Sequence, residues 1–495
     1  MLDKKLKTAD VEQKPFRPQR RRRTKLIATL LVIFHILGVI SSVHAIMGAR
    51  TAPGAIAWAV SLNTFPYIAV PAYWIFGRNK FQGYVTARQL IEEELVRVVP
   101  ETRAHVEKFM VSHEALTPGL RMVDTLTDMP FTRGNDVELL IDGDATFKSI
   151  LEGIESAREY VLFQFYIIKG DKIGLKIKDL LIRKAGEGVR VLFLYDEIGS
   201  SKLSRKYREE LKNTGIEVSA FNTTQGHRNR FQLNFRNHRK IAVVDGHTAW
   251  IGGHNVGDEY LGKDPKFGHW RDTHVRLEGP AVIGAQLSFV EDWYWATGKS
   301  PKFDWLSDPS ATGDRKMLVI PTSPADARET ASLMFIQAIS SARERVWIAS
   351  PYFVPDEGVL KALELADLRG ADVRILIPDK PDHMLVYLAA FTFVDELSNT
   401  DIGFYRYTGG FLHQKVVLVD DHIAIVGTAN LDNRSLRLNF EVMALAVDPP
   451  FASEVDAMLE NDFAQSRRMQ SDEFREKPFW FKFAARVARL TAPIL

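Results

Sequence analysis

One eight-residue pattern occurs twice in this chain and constrains its fold more than any other feature. Both copies have the form H-x-K-x-x-x-x-D, and both are followed at identical spacings by Gly and then Asn. The first set is His238, Lys240, Asp245, Gly252 and Asn255, and the second is His413, Lys415, Asp420, Gly427 and Asn430. Strand side chains alternate between faces, so the His and Lys of each copy point the same way. The repetition predicts two similar substructures, each presenting one His-Lys pair.

The residues after each Lys indicate a buried strand, because they form a short continuous apolar run. In the first copy the run ends at Asp245-Gly246, a strong signal for a hairpin turn. The return strand would bring each Asn back toward its His-Lys pair. Two such hairpins facing each other would place two imidazoles, two ammoniums and two carboxamides around one anionic group. That arrangement suits phosphodiester chemistry.

The residue types suit the individual steps of such a reaction. One His can attack phosphorus, while the other protonates the departing alkoxide and later deprotonates the incoming hydroxyl. The Lys and Asn side chains can stabilise the non-bridging oxygens. Nothing in the set requires a metal or another cofactor. We favour His238 as nucleophile and His413 as general acid and base, because an arginine-rich stretch, Arg228 to Arg239, surrounds the first motif.

The carboxylates of the pattern allow more than one interpretation. Asp245 and Asp420 stand where each strand turns, so a turn-capping or salt-bridging role competes with direct catalysis. A working His also needs an acceptor behind its second ring nitrogen. Alignment of the segments that follow the two motifs nominates Asp272 and Glu441 as these histidine-orienting residues. Asp258 and Glu259 are rivals in the first half.

The repeat extends beyond the motifs and predicts the fold class. Ile154 to Tyr166 parallels Ile339 to Tyr352, and each segment runs from an amphipathic helix into a buried strand. Further helix-to-strand steps indicate α/β layers with mostly parallel or mixed sheets. We therefore predict two homologous α/β halves at 135–300 and 329–470, joined by a linker at 301–328. The active site would lie between them.

The amino terminus indicates a membrane protein. Residues 1–25 form a basic tail with ten Lys or Arg against three Asp or Glu, and uncharged runs follow at 26–47 and 54–76. Each run is long enough to cross about 30 Å of hydrocarbon as a helix. Basic residues flank the pair on both sides, so the positive-inside rule predicts a transmembrane hairpin in the inner membrane, with cytoplasmic catalytic halves. A cleaved signal peptide ending near Ala45 is the alternative for the first run.

The remaining segments have more ordinary predictions. Residues 78–134 are interpreted as a connector, with an amphipathic helix at 87–99. The terminal segment 471–495 is predicted to form an amphipathic helix with Lys482, Arg486 and Arg489 on one face. Two interpretations of that helix are equally open, namely an interfacial helix near anionic headgroups and a helix docked on the second half.

Several quoted segments give the chain a family resemblance. The paired motifs resemble those of the phospholipase D superfamily, and the wider segments resemble the bacterial cardiolipin synthases. The matching segments are 237–246, 251–261, Trp270 to His274, Gly410 to Lys415 and Gly427 to Ser435, followed by Asn439 to Glu441. The resemblance covers nearly everything from residue 26 onward. The basic extension before residue 24 is not part of it.

The resemblance implies a phosphatidyltransferase that joins two phosphatidylglycerols into cardiolipin and releases glycerol. It assigns His238, Lys240 and Asp245, and then His413, Lys415 and Asp420, as the two catalytic sets. A hydrolytic phospholipase D would share every motif, and another phosphatidyl donor would also fit. Nucleic acid is disfavoured as a partner because everything after residue 25 is net acidic. A non-catalytic membrane scaffold would not need two complete His-Lys sets. The sequence leaves the oligomeric state open.

Overall fold

The fold was analysed in a computed structural model of the chain. The structure describes residues 19–49, 51–77, 81, 83–90, 107–127, 129–222, 234–301, 313–470 and 472–495. Most of the basic tail, the helix predicted at 87–99 beyond residue 90, and Arg228 and Arg230 lie outside these ranges. The chain divides into two compact units, Met1–Asn79 and Lys80–Leu495, which are described separately.

The described part of the first unit contains three helices, whereas the sequence predicted two uninterrupted membrane spans. Helix α1 is Gln19–Gly48, α2 is Ala52–Thr64 and α3 is Pro66–Phe76. Among the described residues, one helix, α1, is long and apolar enough to cross a membrane. The second apolar run is broken at Phe65, since Pro66 lacks an N–H and disfavours helical backbone at the residue before it. Prediction of one continuous helix over 54–76 was therefore wrong.

Polar contacts hold these helices together inside the apolar unit. His44 Nδ1 lies 2.6 Å from Tyr73 Oη, and Trp74 Nε1 donates to Ser41 Oγ at 3.1 Å. Both contacts join α1 to α3. The buried hydroxyls of Tyr73 and Ser41 need such partners when the surroundings are apolar, so the pairs fix which face of α1 packs on α3.

The second unit begins with strands and helices that alternate along the chain. Its first half contains α4 Pro118–Thr127, β1 Thr132–Ile141, α5 Asp142–Ser156, β2 Tyr160–Phe165, α6 Lys172–Gly186, β3 Arg190–Asp196, α7 Arg205–Asn213, β4 Glu217–Phe221, β5 Arg236–Asn237, β6 Ile241–Val244, β7 Thr248–Gly252, β8 Trp270–Arg271, β9 Thr273–Glu278 and α8 Val282–Thr297. Strands β2 and β6 are buried along their whole length. Such strands belong to the middle of a sheet that is covered on both faces.

The later part of the unit follows the same succession. It contains β10 Arg315–Thr322, α9 Thr330–Ser341, β11 Arg345–Ala349, β12 Phe353–Val354, α10 Glu357–Leu368, β13 Asp372–Pro378, α11 Met384–Glu396, β14 Gly403–Tyr407, β15 Phe411–Leu412, β16 Val416–Val419, β17 Ile423–Gly427, β18 Leu431–Asp432, α12 Asn433–Arg437, β19 Asn439–Val447, α13 Pro449–Ala464, β20 Ser466–Arg468, α14 Glu473–Glu476 and α15 Phe479–Arg489.

All the long strands belong to one continuous mixed sheet. Its order is β20-β14-β13-β11-β16-β17-β19-β10-β1-β9-β7-β6-β2-β3-β4. The order of strands outward from β10 matches the order outward from β1, and these two central strands pair antiparallel. The expected α/β class is confirmed.

The boundaries predicted around the halves need correction at the centre of this sheet. The segment 301–328, interpreted as a linker, supplies β10, whose residues from Met317 to Thr322 are buried. Likewise β1 begins at Thr132, inside the predicted connector. Pro, Ser, Asp and Gly around the strand concealed it in the sequence, whereas tertiary pairing with β1 and β19 stabilises it.

The terminal helix α15 docks on the second half. Its Ala485 and Ala488 are buried within the second half's hydrophobic core. Arg489 stacks on Phe393 of α11 at 4.4 Å and pairs with Glu396. The docked interpretation of this helix is therefore confirmed for one of its faces.

Candidate active site

Each motif begins on a short strand that pairs with the opposite half. Strand β5 runs parallel to the start of β19, and β15 runs parallel to β8. The His238 N–H donates to the Phe440 carbonyl at 2.9 Å, and the His413 N–H donates to the Arg271 carbonyl at 2.8 Å. The backbone thereby brings both buried histidines to the junction of the halves.

The acceptors behind the imidazoles are exchanged between the halves. His238 Nδ1 lies 2.8 Å from Glu441 Oε2, and His413 Nδ1 lies 2.7 Å from Asp272 Oδ2. Both carboxylates are fully buried. Alignment of the segments after the motifs nominated these two carboxylates, but it gave no sign that each serves the histidine of the other half.

The two lysines complete the pairs within their own halves. Lys240 Nζ donates to the His238 carbonyl at 2.7 Å, and Lys415 Nζ contacts the His413 carbonyl and lies 2.8 Å from His413 Nδ1. Burial lowers the pKa of Lys240 to about 7 and that of Lys415 to about 8. Glu441 and Asp272 oppose these shifts. An anionic ligand would favour the charged form of both lysines.

Burial also determines the protonation of the histidines. It lowers the pKa of His238 to about 4, although Glu441 acts against it, and lowers that of His413 to about 4, with Lys415 adding to the effect. Both rings are therefore neutral near pH 7. Despite their own burial, the pKa values of Glu441 and Asp272 lie below the usual range because of the neighbouring basic groups. Each neutral imidazole thus faces an ionised acceptor.

The residue between His and Lys anchors each motif to the last long helix of its own half. Arg239 is buried and lies 3.0 Å from Asp292 of α8, which also accepts from Asn237 at 2.7 Å. In the second motif Gln414 donates to Asp462 of α13 at 2.7 Å. Asp292 and Asp462 were not nominated from the sequence, because only the fold places these helices behind the motifs.

Tyr84 extends the first of these networks. Its hydroxyl donates to Asp292 Oδ1 at 2.8 Å, and burial raises its pKa well above the ordinary value. The network therefore joins the segment at 83–90 to the strand residue Asn237, which precedes His238.

The structure does not bring Asp245 and Asp420 to the histidines. Each lies at the far end of its strand, beyond β6 and β16 respectively. Asp245 accepts the N–H groups of residues 158, 159 and 160 at 2.8 Å, and Asp420 accepts those of 343, 344 and 345 at 2.9–3.2 Å. Both have left-handed backbone, with φ near 50°. They cap the turns that enter β2 and β11, so the turn-capping interpretation is confirmed for both.

The two amides of the pattern form hydrogen bonds with neighbouring residues, although Asn430 Oδ1 is buried without a partner. Asn255 Oδ1 accepts the Ile167 N–H at 3.0 Å, and its Nδ2 donates to Tyr260 Oη at 3.0 Å. Asn430 Nδ2 donates to Asp432 at 3.4 Å. Both amides are buried beside the motif hairpins, and their role as phosphate-stabilising groups stays a prediction.

Asp258 and Glu259, the alternative histidine-orienting residues of the first half, form contacts with other residues and not with the histidines of the motifs. Asp258 accepts the N–H of Ile173 at 3.0 Å at the start of α6, and Glu259 pairs with Lys169 at 2.5 Å. Within the described residues, no three His, Cys, Asp or Glu side chains are grouped so that they could hold a metal ion.

Tyr166 is a site residue that the sequence reasoning missed. Its ring meets the His238 ring edge-on at a centroid distance of 5.0 Å, and Lys240 Nζ lies 5.6 Å from its centroid. Burial raises its pKa, while the nearby Arg236 and Arg434 act in the opposite direction. The parallel between the segments that end at Tyr166 and Tyr352 was the available signal.

A sheet of this order, with two His-Lys pairs at the junction of two similar halves, defines a phospholipase D-like domain. The family model described as cardiolipin synthase, PLD-like domain, matches residues 150–265 and 335–463. Cardiolipin synthase A of Pseudomonas fluorescens (strain SBW25) is 48% identical over 95% of this chain and 98% of its own length. That of Pseudomonas aeruginosa (strain LESB58) is 46% identical over 97% and 98%.

A solved structure agrees in fold. The phosphatidylserine synthase of Haemophilus influenzae Rd KW20 superposes with a TM-score of 0.58 at 16% identity, covering 77% of this chain and all of its own. The chain belongs to the cardiolipin synthase family. It is a membrane-associated phospholipid phosphatidyltransferase of the phospholipase D type.

Proposed function

We propose that the enzyme condenses two phosphatidylglycerols into cardiolipin and glycerol. The observation that carries the proposal is the pair of histidines whose Nδ1 atoms each face a buried carboxylate. This arrangement leaves the Nε2 atom of each ring for the reaction. One ring can then act on phosphorus while the other handles protons.

The reaction is proposed in two balanced steps. The bound phosphodiester is anionic and favours the protonated form of His413, so His413 enters the reaction with a proton on Nε2. His238 Nε2 attacks phosphorus, the bond from phosphorus to the glycerol oxygen breaks, and His413 Nε2 gives its proton to the departing glycerol oxygen. A hydroxyl of the second phosphatidylglycerol then gives its proton to His413 and attacks phosphorus. The phosphorus–nitrogen bond breaks, cardiolipin is released and His238 is restored.

Local charge supports His238 as the nucleophile. Arg236 and Arg434 lie close enough to Tyr166 to influence its pKa, and Tyr166 packs against His238. These guanidinium groups favour negative charge on a phosphoryl group held there. Arg239 does not contribute in this way, because it is buried against Asp292. Lys240 and Lys415, with Asn255 and Asn430, are proposed to bind the non-bridging oxygens.

The overall reaction is tested with purified enzyme and vesicles of phosphatidylglycerol, read by mass spectrometry. Equal release of cardiolipin and glycerol is expected. Free phosphatidic acid as the main product would identify a hydrolytic phospholipase D instead. No product from phosphatidylglycerol, with turnover on another phospholipid, would contradict the proposed donor.

The histidine roles are tested with a substrate that carries a good leaving group. Such a group needs little protonation, so His413→Ala should still become phosphatidylated, whereas His238→Ala should not. Turnover of both variants should fall similarly, since groups that act as a unit fail together. An adduct recovered at His413 of the His238→Ala protein would reverse the assignment.

We further propose that the two halves arose by duplication and that the amino-terminal helices form a transmembrane hairpin with the catalytic unit in the cytoplasm. Matching strand order and two family-model matches support the duplication. Basic residues flanking the apolar runs support the topology. Protease added to intact spheroplasts should spare the catalytic unit and cut it after lysis. Cleavage before lysis would overturn this orientation.

A further inference from the structure

The terminal helix α15 uses only one of its faces to dock on the second half. Ala485 and Ala488 are buried against that half, and Phe481 meets the Phe391 ring of α11 at a centroid distance of 5.2 Å. The opposite face of the helix is also apolar, yet it is exposed.

The exposed side chains form one continuous stripe along the helix. Phe479, Trp480, Phe483, Val487 and Leu490 are between 46% and 80% exposed. Their spacing of one, three, four and three residues places them within about a third of the helix circumference. We name these five residues the aromatic face. A contiguous apolar surface of this kind marks a site of interaction with another partner.

Charge beside the aromatic face identifies the partner's chemistry. From Lys477 to Arg489 the chain has four basic residues and no acidic one, and two of the four, Lys477 and Arg489, pair with Glu473 and Glu396. Arg486 is exposed, and Lys482 is anchored by donating to the Arg475 carbonyl at 3.1 Å. Large aromatic and aliphatic residues on one face, with Lys and Arg beside them, are the composition that lies in the interface of an anionic bilayer.

The helix beneath α15, α11, also carries exposed apolar residues. Helix α11 begins with the exposed Met384 and Leu385, two and three residues after Asp382. Asp382 accepts from Tyr352 Oη at 2.6 Å and is close enough to raise the pKa of Lys415 against the effect of burial. Exposed apolar residues therefore also lie close in sequence to a carboxylate that acts on Lys415.

We propose that the aromatic face is a membrane-docking surface of the catalytic unit, which inserts into the headgroup layer of a bilayer containing anionic phospholipid. It acts in addition to the amino-terminal helices. It keeps the catalytic unit at the lipid surface, and its insertion does not depend on the reaction or on the identity of the phosphatidyl donor.

The absence of cysteine from the sequence allows a direct test in the full-length protein. Phe483→Cys introduces a single exposed thiol for an environment-sensitive fluorophore. Leu368→Cys is the matched control, since Leu368 is 73% exposed at the end of α10. Both labelled proteins are reconstituted into phosphatidylglycerol or phosphatidylcholine vesicles that contain spin-labelled quencher lipid. They are also reconstituted in the His413→Ala background, which separates docking from catalysis.

The expected result is a blue-shifted emission and strong quenching for the Phe483 label in phosphatidylglycerol vesicles, and less of both in phosphatidylcholine. The Leu368 label should stay in water in every vesicle. A Phe483 label that remains aqueous in phosphatidylglycerol would overturn the proposal, as would equal insertion in both lipids. A blue shift in detergent that grows with protein concentration would instead assign the face to a second copy of the chain.

A second variant connects docking to rate. Trp480→Ser combined with Phe483→Ser should lower turnover of phosphatidylglycerol in vesicles about tenfold and leave turnover of a dispersed short-chain substrate unchanged. Equal turnover in vesicles by variant and parent would contradict a docking role. If the parent lacks phosphatidylglycerol turnover altogether, the proposed reaction fails, while the fluorescence result still decides the docking.

Discussion

His238 and Glu441 belong to different halves of the sheet, 203 residues apart in sequence, yet His238 Nδ1 lies 2.8 Å from the Glu441 carboxylate. Asp272 and His413 repeat this relationship in the opposite direction, at 2.7 Å. Each half therefore supplies one imidazole and the acceptor for the other. Neither half contains a complete catalytic pair of its own.

Removal of the charge at Glu441 is predicted to impair catalysis by His238, although the two residues are far apart in sequence. Glu441→Gln should lower kcat about a hundredfold to ten-thousandfold with little change in KM, because the ring loses its ionised acceptor. Glu460→Gln, an exposed position on α13, is the matched control and should behave like the parent. Steady-state kinetics on both variants decide the point. A loss below threefold would show that Glu441 does not orient His238.

Asp245 is predicted to stabilise the fold and not to take part in chemistry. Asp245→Ala removes the acceptor for three backbone N–H groups, which should lower the free energy of unfolding by about 1–3 kcal/mol. Asp245→Asn should cost less, since Asn retains an acceptor and tolerates left-handed backbone. Thermal unfolding and kcat per folded molecule test this. An unchanged Tm with a hundredfold loss of kcat would return Asp245 to the catalytic set.

Stability should depend on pH through the buried histidines. Their folded pKa values near 4 lie below the unfolded value of about 6.5, so the unfolded chain binds more protons between these values. The stabilisation is complete above pH 6.5 and is lost as pH falls toward 4. His413→Gln should flatten the dependence of unfolding free energy by about 1.4 kcal/mol per pH unit in that window. An unaltered slope would contradict the low pKa.

Tyr84 is predicted to support catalysis through Asp292, which holds Asn237 and Arg239 beside His238. Tyr84→Phe should lower both the unfolding free energy, by about 1–3 kcal/mol, and kcat. Tyr207→Phe is the control, because its buried hydroxyl donates to the Gly174 carbonyl at 2.9 Å, outside the Asp292 network. The Tyr207→Phe variant should lose stability but keep the kcat of the parent. Equal kcat for the two variants would limit Tyr84 to a packing role.

Chelation is predicted to leave turnover intact in detergent micelles. The proposed nucleophile, proton carrier and charge-stabilising groups are all side chains, among them Lys240 and Lys415. Activity is compared before and after EDTA treatment. Loss of turnover that a divalent ion restores would refute a metal-independent reaction.

The sequence predicted the features that repeat locally and missed those that depend on packing. The duplicated motifs and alternating helices and strands predicted an α/β fold, and alignment nominated Asp272 and Glu441. Their exchange between halves depends on pairing of β5 with β19 and β15 with β8, which joins distant segments. No local pattern encodes that pairing.

Three other features were obscured in the sequence for local physical reasons. The recurrence of Asp245 with the histidine left catalysis and turn capping both open, whereas four strand residues separate it from Lys240 and place it at the other end of β6. Strand β10 was taken for linker because polar and turn-forming residues surround it. Hydropathy over 54–76 likewise concealed the break that Pro66 imposes at Phe65.

The exchange of carboxylates between the halves also has a consequence for the order in which the site is assembled during synthesis. A ribosome completes residues 135–300 well before it reaches Glu441, so the emerging first half holds His238 with no acceptor behind it. Asp272 is likewise synthesised before His413, the histidine that it contacts in the folded protein. The nascent chain is therefore unable to cleave lipids around it while it is being made. Activity begins only when the last long strand, β19, enters the sheet.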